Sequence, residues 1–285
     1  MVARARAASP KSSPSPSVGL LGLPSDINSS HLRGAAKGPA AIRKALWSGA
    51  SNLTSERGVD LSLPGVLVDS GDLRLREDAA DRGRIEAAVT GLLDRGLKPL
   101  LLGGDHSVTY PIVRAVAARH RGLSILHFDA HPDLYDDYEG NRFSHASPFA
   151  RIMEEGLVRR LVQVGIRTLN AHQAAQAKRF GVKMVTMSAF RPETVPLPRG
   201  PLYITIDMDA LDPAFAPGVA HREPGGLSVR DVIRVLHRVR GSVVGGDIVE
   251  LRPASDGDGV TAIVAAKLLK ELGGLMVQAQ GPPLR

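Results

Sequence analysis

Residues 99–133 read PLLLGGDHSVTYPIVRAVAARHRGLSILHFDAHPD. Two short, continuously apolar runs, 99–102 and 123–128, flank an amphipathic stretch over 107–119. The first apolar run passes directly into Gly-Gly-Asp-His and the second into Asp-Ala-His. A strand that is apolar on both sides is covered on both faces, and a helix between two such strands is the crossover of a parallel sheet. The polar residues then lie in loops at the carboxyl ends of strands, where open α/β sheets place their chemistry.

The same alternation extends in both directions. Further strand-like runs are 18–23, 66–68, 161–165, 182–185, 202–206 and 243–249; further amphipathic stretches include 83–97, 147–155, 228–238 and 261–272. The expected fold is α/β, with a mostly parallel sheet of roughly eight strands covered by helices on both faces. No linker, composition break or internal repeat interrupts 18–278, so 18–285 reads as a single domain. Residues 1–17, MVARARAASPKSSPSPS, are basic, free of acids and broken by proline. They read as a disordered Ser/Pro-rich tail rather than a transit peptide.

Composition narrows the function classes. With 43% hydrophobic and 23% charged residues the chain is a globular protein and not a disordered one. No apolar run approaches the ~20 residues of a membrane span, so no membrane partner is expected. The absence of Cys excludes disulfides, zinc fingers, iron–sulfur clusters and a thiol nucleophile. It fits a reducing compartment, and a cytoplasmic location is expected. Lys+Arg of 36 against Asp+Glu of 29 gives 36 − 29 = +7, which invites a nucleic-acid reading. The cations (Arg114, Arg119, Arg121, Arg159, Arg160, Arg234 and Arg238) are scattered, without aromatic interleaving or a recognised binding motif. No nucleic-acid partner is expected.

Three clusters at strand ends carry the chemistry. The first is Gly103-Gly104-Asp105-His106-Ser107, with Ser107 placed to cap the next helix. The second is Asp129-Ala130-His131-Pro132-Asp133, whose alternate residues face one side of an extended segment. The third is Asp207-Met208-Asp209, followed by Asp212-Pro213 and a turn-rich loop. Any one of these is ordinary turn chemistry. Together they converge four carboxylates, Asp129, Asp133, Asp207 and Asp209, with few cations between them. Such a group repels itself unless a metal compensates. Two His with four Asp suit Mn²⁺ best, with Fe, Co or Ni as alternatives. Four negative charges match two divalent ions, and such a pair ~3.5–4 Å apart generates hydroxide near neutral pH.

These motifs, GGDHS at 103–107, DAHPD at 129–133 and TIDMDALDPAFAPG at 205–218, with Gly226 beyond, resemble those of the ureohydrolases, the arginase/agmatinase family. LRGAAKGPAAIR (32–43), EGNRFSHASPFARIME (139–154) and PGVAHREPGGLSVRDV (217–232) look most like the plant-type arginases and their bacterial relatives. The resemblance implies a three-layer αβα fold, two Mn²⁺ per subunit and a homotrimer or homohexamer. It implies hydrolysis of a small guanidino substrate to urea and an amine. His106, Asp129, Asp133 and Asp209 would hold one side of the metal pair and His131 and Asp207 the other, with the bridging residues left open. Asp105 and Asp212 would orient His106 and the third loop. His145 would shuttle protons, Asp133 would pass on the proton of the nucleophile, and Glu250 would anchor the guanidinium.

Asn141, Arg142 and Ser144 lie in the loop expected to contact the rest of the substrate, and His31 and His221 in loops at its mouth. His127 reads as a packed core residue, and His120, His172 and His237 as solvated. L-arginine is the expected substrate; agmatine and 4-guanidinobutyrate are the alternatives. A non-catalytic regulator is disfavoured because all six ligands are present.

Overall fold

The computed structural model describes residues 18–278, so the tail expected over 1–17 lies outside the described residues. Eight strands form one sheet: β1 (Val18–Leu23), β2 (Leu67–Asp72), β3 (Lys98–Gly103), β4 (Ser124–Phe128), β5 (Arg160–Ile166), β6 (Lys183–Thr186), β7 (Pro201–Asp207) and β8 (Ser242–Val249). Their spatial order is β2-β1-β3-β8-β7-β4-β5-β6, and every pairing is parallel. The α-helices are α1 (Gly38–Leu46), α2 (Asp81–Asp94), α3 (Thr109–Arg119), α4 (Pro148–Glu154), α5 (Ala171–Phe180), α6 (Val229–Arg238) and α7 (Val260–Gln278).

Alternation along each strand divides the core into two layers. Leu100, Leu102, Leu126, Phe128, Leu202 and Ile204 pack with Ile42 of α1, Leu236 of α6 and Leu268 of α7. The opposite-facing Leu101, Ile125, Leu161 and Tyr203 pack with Val89 of α2, Ile112 of α3, Phe149 of α4 and Ala177 of α5. The three-layer α/β architecture expected from the sequence is therefore the one observed. No helix among the described residues is long and apolar enough to cross a membrane.

The strand order explains the location of the site. Because the sheet is wholly parallel, all carboxyl ends lie along one edge. The four middle strands, β3, β8, β7 and β4, end in Gly103-Gly104-Asp105-His106, Glu250, Asp207 and Asp129, respectively. The late return of the chain to the centre as β8 is what sets Glu250 beside His106. The connection after β3 also requires glycine: a Cβ on Gly104 would lie 1.8 Å from the Ser25 carbonyl oxygen.

Candidate metal centre

All six expected ligands meet at this edge. His106 Nδ1 lies 3.2 Å from Asp129 Oδ2, 3.1 Å from Asp133 Oδ2 and 3.2 Å from Asp207 Oδ2. His131 Nδ1 lies 3.0 Å from Asp209 Oδ2 and 3.4 Å from Asp129 Oδ1. Asp129 thus touches both imidazoles and stands between two groups. The grouping differs from the expected one, since Asp207 sits with His106 and Asp209 with His131. β7 ends at Asp207, and residues Met208–Ala210 turn into a 3₁₀ helix. Asp207 Oδ1 caps that turn by accepting from Asp209 N at 2.8 Å, which swings the two carboxylates apart.

The neighbours of these ligands are also partly unexpected. Asp105 does not reach the His106 ring. It accepts from Ser107 N at 3.0 Å and Asn28 N at 2.9 Å, so Asp105 and not Ser107 caps the turn that opens α3. Asp212 does organise the third loop, accepting from Ala214 N, Gly225 N and Gly226 N. His127 is packed against Phe149, with ring centroids 4.0 Å apart, and also holds Asp129 Oδ2 through Nε2 at 2.7 Å. His172 and His237 pair with Asp136 and Glu271 instead of facing only water.

Burial makes this constellation costly without a cation. His106 and Asp129 are fully buried, and Asp207, Asp209 and Asp133 nearly so. Burial opposes charge on His106, but the facing carboxylates of Asp129, Asp133 and Asp207 outweigh it and push its pKa well up. Burial likewise opposes charge on His131, and Asp209 with Asp129 pushes it to about 12. Burial, reinforced by Asp129, pushes Asp209 to about 6. In the metal-free protein, protons therefore serve as counter-ions. His106 Nδ1 is nevertheless a buried polar atom without a hydrogen-bond partner, enclosed by three carboxylates. An orphaned imidazole nitrogen amid carboxylate oxygens fits a divalent transition metal.

A cavity of about 210 Å³ opens over the cluster, lined by His131, Asp133, Asp207, Asp209, His145 and Glu250. Its walls add Ser30, Tyr135, Tyr138, Ala146, Thr168, Gln173 and His221, with no Lys or Arg among the described residues. Glu250 Oε1 accepts from His106 N at 2.8 Å and faces His145 Nδ1 at 2.8 Å. His145 Nε2 lies 2.8 Å from Ser30 Oγ. Asp133 and Glu250 both adopt left-handed backbone, with φ of 50° and 64°.

The substrate loop is arranged differently from expectation. Asn141 and Ser144 do not line this cavity. Asn141 Nδ2 donates to Asn28 Oδ1, its Oδ1 accepts from Phe143 N, and Ser144 Oγ accepts from Ala146 N. Arg142 pairs with Glu154. The loop thus uses its polar groups to hold its own shape. Tyr135, Tyr138, Thr168 and Gln173 take the wall positions instead. The two tyrosines had a signal, following Asp133 in a short aromatic-bearing loop; Thr168 and Gln173 had none. His221 lines the cavity, and the ring of His31 lies 5.3 Å from that of His221.

The His145–Glu250 contact predicts a titration. Burial opposes charge on His145, but Glu250, then Asp105 and Asp133, raise its pKa to about 9. Because the folded value exceeds the ordinary 6.5, this pair stabilises the metal-free fold fully below pH 6.5. The contribution is lost as pH rises through about 9. The His145 ring proton shift, followed by NMR from pH 5 to 10, should show its midpoint near the upper value; a midpoint near 6.5 would contradict the pairing.

Comparison with known proteins gives the same picture. The model of the arginase family matches residues 16–274. Arginase 1, mitochondrial, of Arabidopsis thaliana is 50% identical over 273 residues, covering 90% of this chain and 80% of that protein. An agmatinase of Bacillus anthracis is more distant, 35% identical over 262 residues, covering 89% of each. The solved arginase of Medicago truncatula superposes with a TM-score of 0.87 at 45% identity, covering 91% of this chain and 87% of that one. These comparisons correct the expected cytoplasmic location. Relatives from Arabidopsis, rice and Medicago are named mitochondrial or chloroplastic/mitochondrial arginases, names that overturn that expectation. The expectation rested on the absence of Cys, which reports on redox conditions and not on a compartment. The fold, the three strand-end motifs and the match over most of the chain place this protein in the arginase family.

Proposed function

We propose that this protein is a binuclear manganese hydrolase that cleaves L-arginine to L-ornithine and urea. The observation that carries this reading is the placement of Glu250 in the same cavity as the six-ligand cluster. A carboxylate there pairs with a cationic guanidinium and holds its carbon over the cluster. His106, Asp129, His131, Asp133, Asp207 and Asp209 are the proposed metal ligands. When bound, the metal pair lowers the pKa of water toward neutrality and stabilises charge that develops during attack. Asp133, which lines the cavity, takes the proton released by the nucleophile. His145, held cationic by Glu250, donates to the departing amine. A homotrimer or homohexamer is proposed on the family resemblance alone.

Greater similarity to proteins named arginases than to the named agmatinase supports arginine as the substrate. A specific observation favours agmatine as the second reading: among the described residues, the cavity wall carries no Lys or Arg to receive an α-carboxylate. An arginine carboxylate would rest on neutral donors such as Ser30, Tyr135 and Tyr138. Urea release by Mn²⁺-loaded protein from arginine, agmatine and 4-guanidinobutyrate, compared by kcat/KM, tests the assignment. Arginine is expected to lead; a lead for agmatine would transfer the assignment, and urea from none would refute it.

A further inference from the structure

Beneath the cluster, polar side chains interrupt an otherwise apolar layer. Thr205 on β7 and Asp247 on β8 are register partners on adjacent strands, and both are fully buried. Thr205 Oγ1 lies 3.0 Å from His106 Nε2, on the side of the ring opposite the nitrogen that faces the carboxylates. Asp247 Oδ2 accepts from Tyr203 OH at 2.7 Å and Thr109 Oγ1 at 2.8 Å. Asp247 Oδ1 has no hydrogen-bond partner among the described residues, and Thr205 is the residue that the strand register sets opposite Asp247. A buried carboxylate with one free oxygen is a costly arrangement unless it serves another group.

We propose that Asp247, acting through Thr205, is a positioning residue for His106. The inference rests on the metal-centre reading above. A neutral imidazole carries one proton, and the hydrogen bond at one nitrogen decides whether the other is free to bind a metal. A threonine hydroxyl alone does not decide this, since it both donates and accepts. An ionised carboxylate only accepts. When the Thr205 hydroxyl turns its hydrogen toward the Asp247 carboxylate, a Thr205 lone pair is left to accept from His106 Nε2–H. The proton is thereby kept on Nε2, and Nδ1 is open toward Asp129, Asp133 and Asp207. The other proposed imidazole ligand has no such support. The His131 side chain is 24% exposed, and among the described residues its Nε2 makes no hydrogen bond, so water can serve it. His106 is fully buried and needs an acceptor built into the fold.

Competition with a fluorescent chelator measures Mn²⁺ affinity directly, without turnover. Thr205→Val and Asp247→Asn should each weaken it by about 10–100-fold. Thr205→Ser, which keeps the hydroxyl, should stay close to the unaltered protein. Because the two residues act in series, the double variant Thr205→Val/Asp247→Asn should match the weaker single variant and not multiply the losses. Melting of the metal-free proteins reports folding independently; if Asp247→Asn fails to fold, the Val and Ser variants at 205 decide alone. Unaltered affinity in Thr205→Val, equal losses in Val and Ser, or multiplied losses in the double variant would overturn the relay. An unaltered protein that binds no Mn²⁺ would overturn the metal-centre reading itself, and the relay with it.

Discussion

Dialysis against a chelator at neutral pH is expected to lower urea formation by about 10⁴-fold or more, and added Mn²⁺ to restore it. The size follows from what the protein itself lacks. No Cys is present, and the carboxylates and imidazoles of the cavity lining act on water only as general bases, a contribution of about 10²–10⁴-fold that leaves water itself a weak nucleophile. The pH dependence has a definite sign. Metal must displace protons held by His131, pushed to about 12, and by Asp209, pushed to about 6. Binding therefore releases protons, and affinity falls as pH falls, by about tenfold per unit for each proton released. Metal content measured by mass spectrometry after equilibration at pH 6 and pH 8 checks this. Replacing His131 or Asp133 with Ala should lower metal content and urea formation together. A metal-depleted variant with full activity would refute the whole scheme.

Glu250→Gln is expected to reduce kcat/KM by about 10²–10⁴-fold, through loss of charge from a carboxylate worth two charge-assisted hydrogen bonds. The fold should survive, because glutamine keeps an oxygen able to accept from His106 N. Without the carboxylate, the His145 titration should also fall from about 9 toward its ordinary value. The variant's pH–rate profile would then lose activity at a lower pH than that of the parent. The two effects separate by measurement: reduced binding raises KM, whereas loss of the proton donor lowers kcat. Retention of kcat/KM within a factor of about three would remove Glu250 from substrate binding.

Much of the fold is legible because each strand is self-describing. Runs 18–23, 123–128 and 202–206 are apolar on both sides and end in polar residues, and each recurs within one residue of its observed bounds. The run at 66–68 captures little of β2, whose later residues Asp69 and Asp72 face outward at the sheet edge and pair with Arg43. Edge strands carry such charges, and a search for apolar runs passes over them. The return of β8 to the sheet centre left no local mark, since strand order depends on packing between distant segments. The site divides in the same way. His106, Asp129 and Asp207 are adjacent to the strands that position them, so the motifs reveal them. Thr205 opposite Asp247 is visible only once the register of β7 against β8 is known. Asn141 and Ser144 were expected to contact substrate because their loop carries His145, but hydrogen bonds within the loop and to Asn28 already claim them.

The left-handed backbone at Asp133 and Glu250 sets functional fitness against folding fitness at two specific codons. Each conformation costs an ordinary residue about 1–2 kcal/mol, and glycine would relieve it. Glycine would also delete a carboxylate from the cavity. A population selected for thermal survival alone should therefore accumulate inactive proteins through these two positions. Stabilising this chain by library selection requires that both positions be held constant.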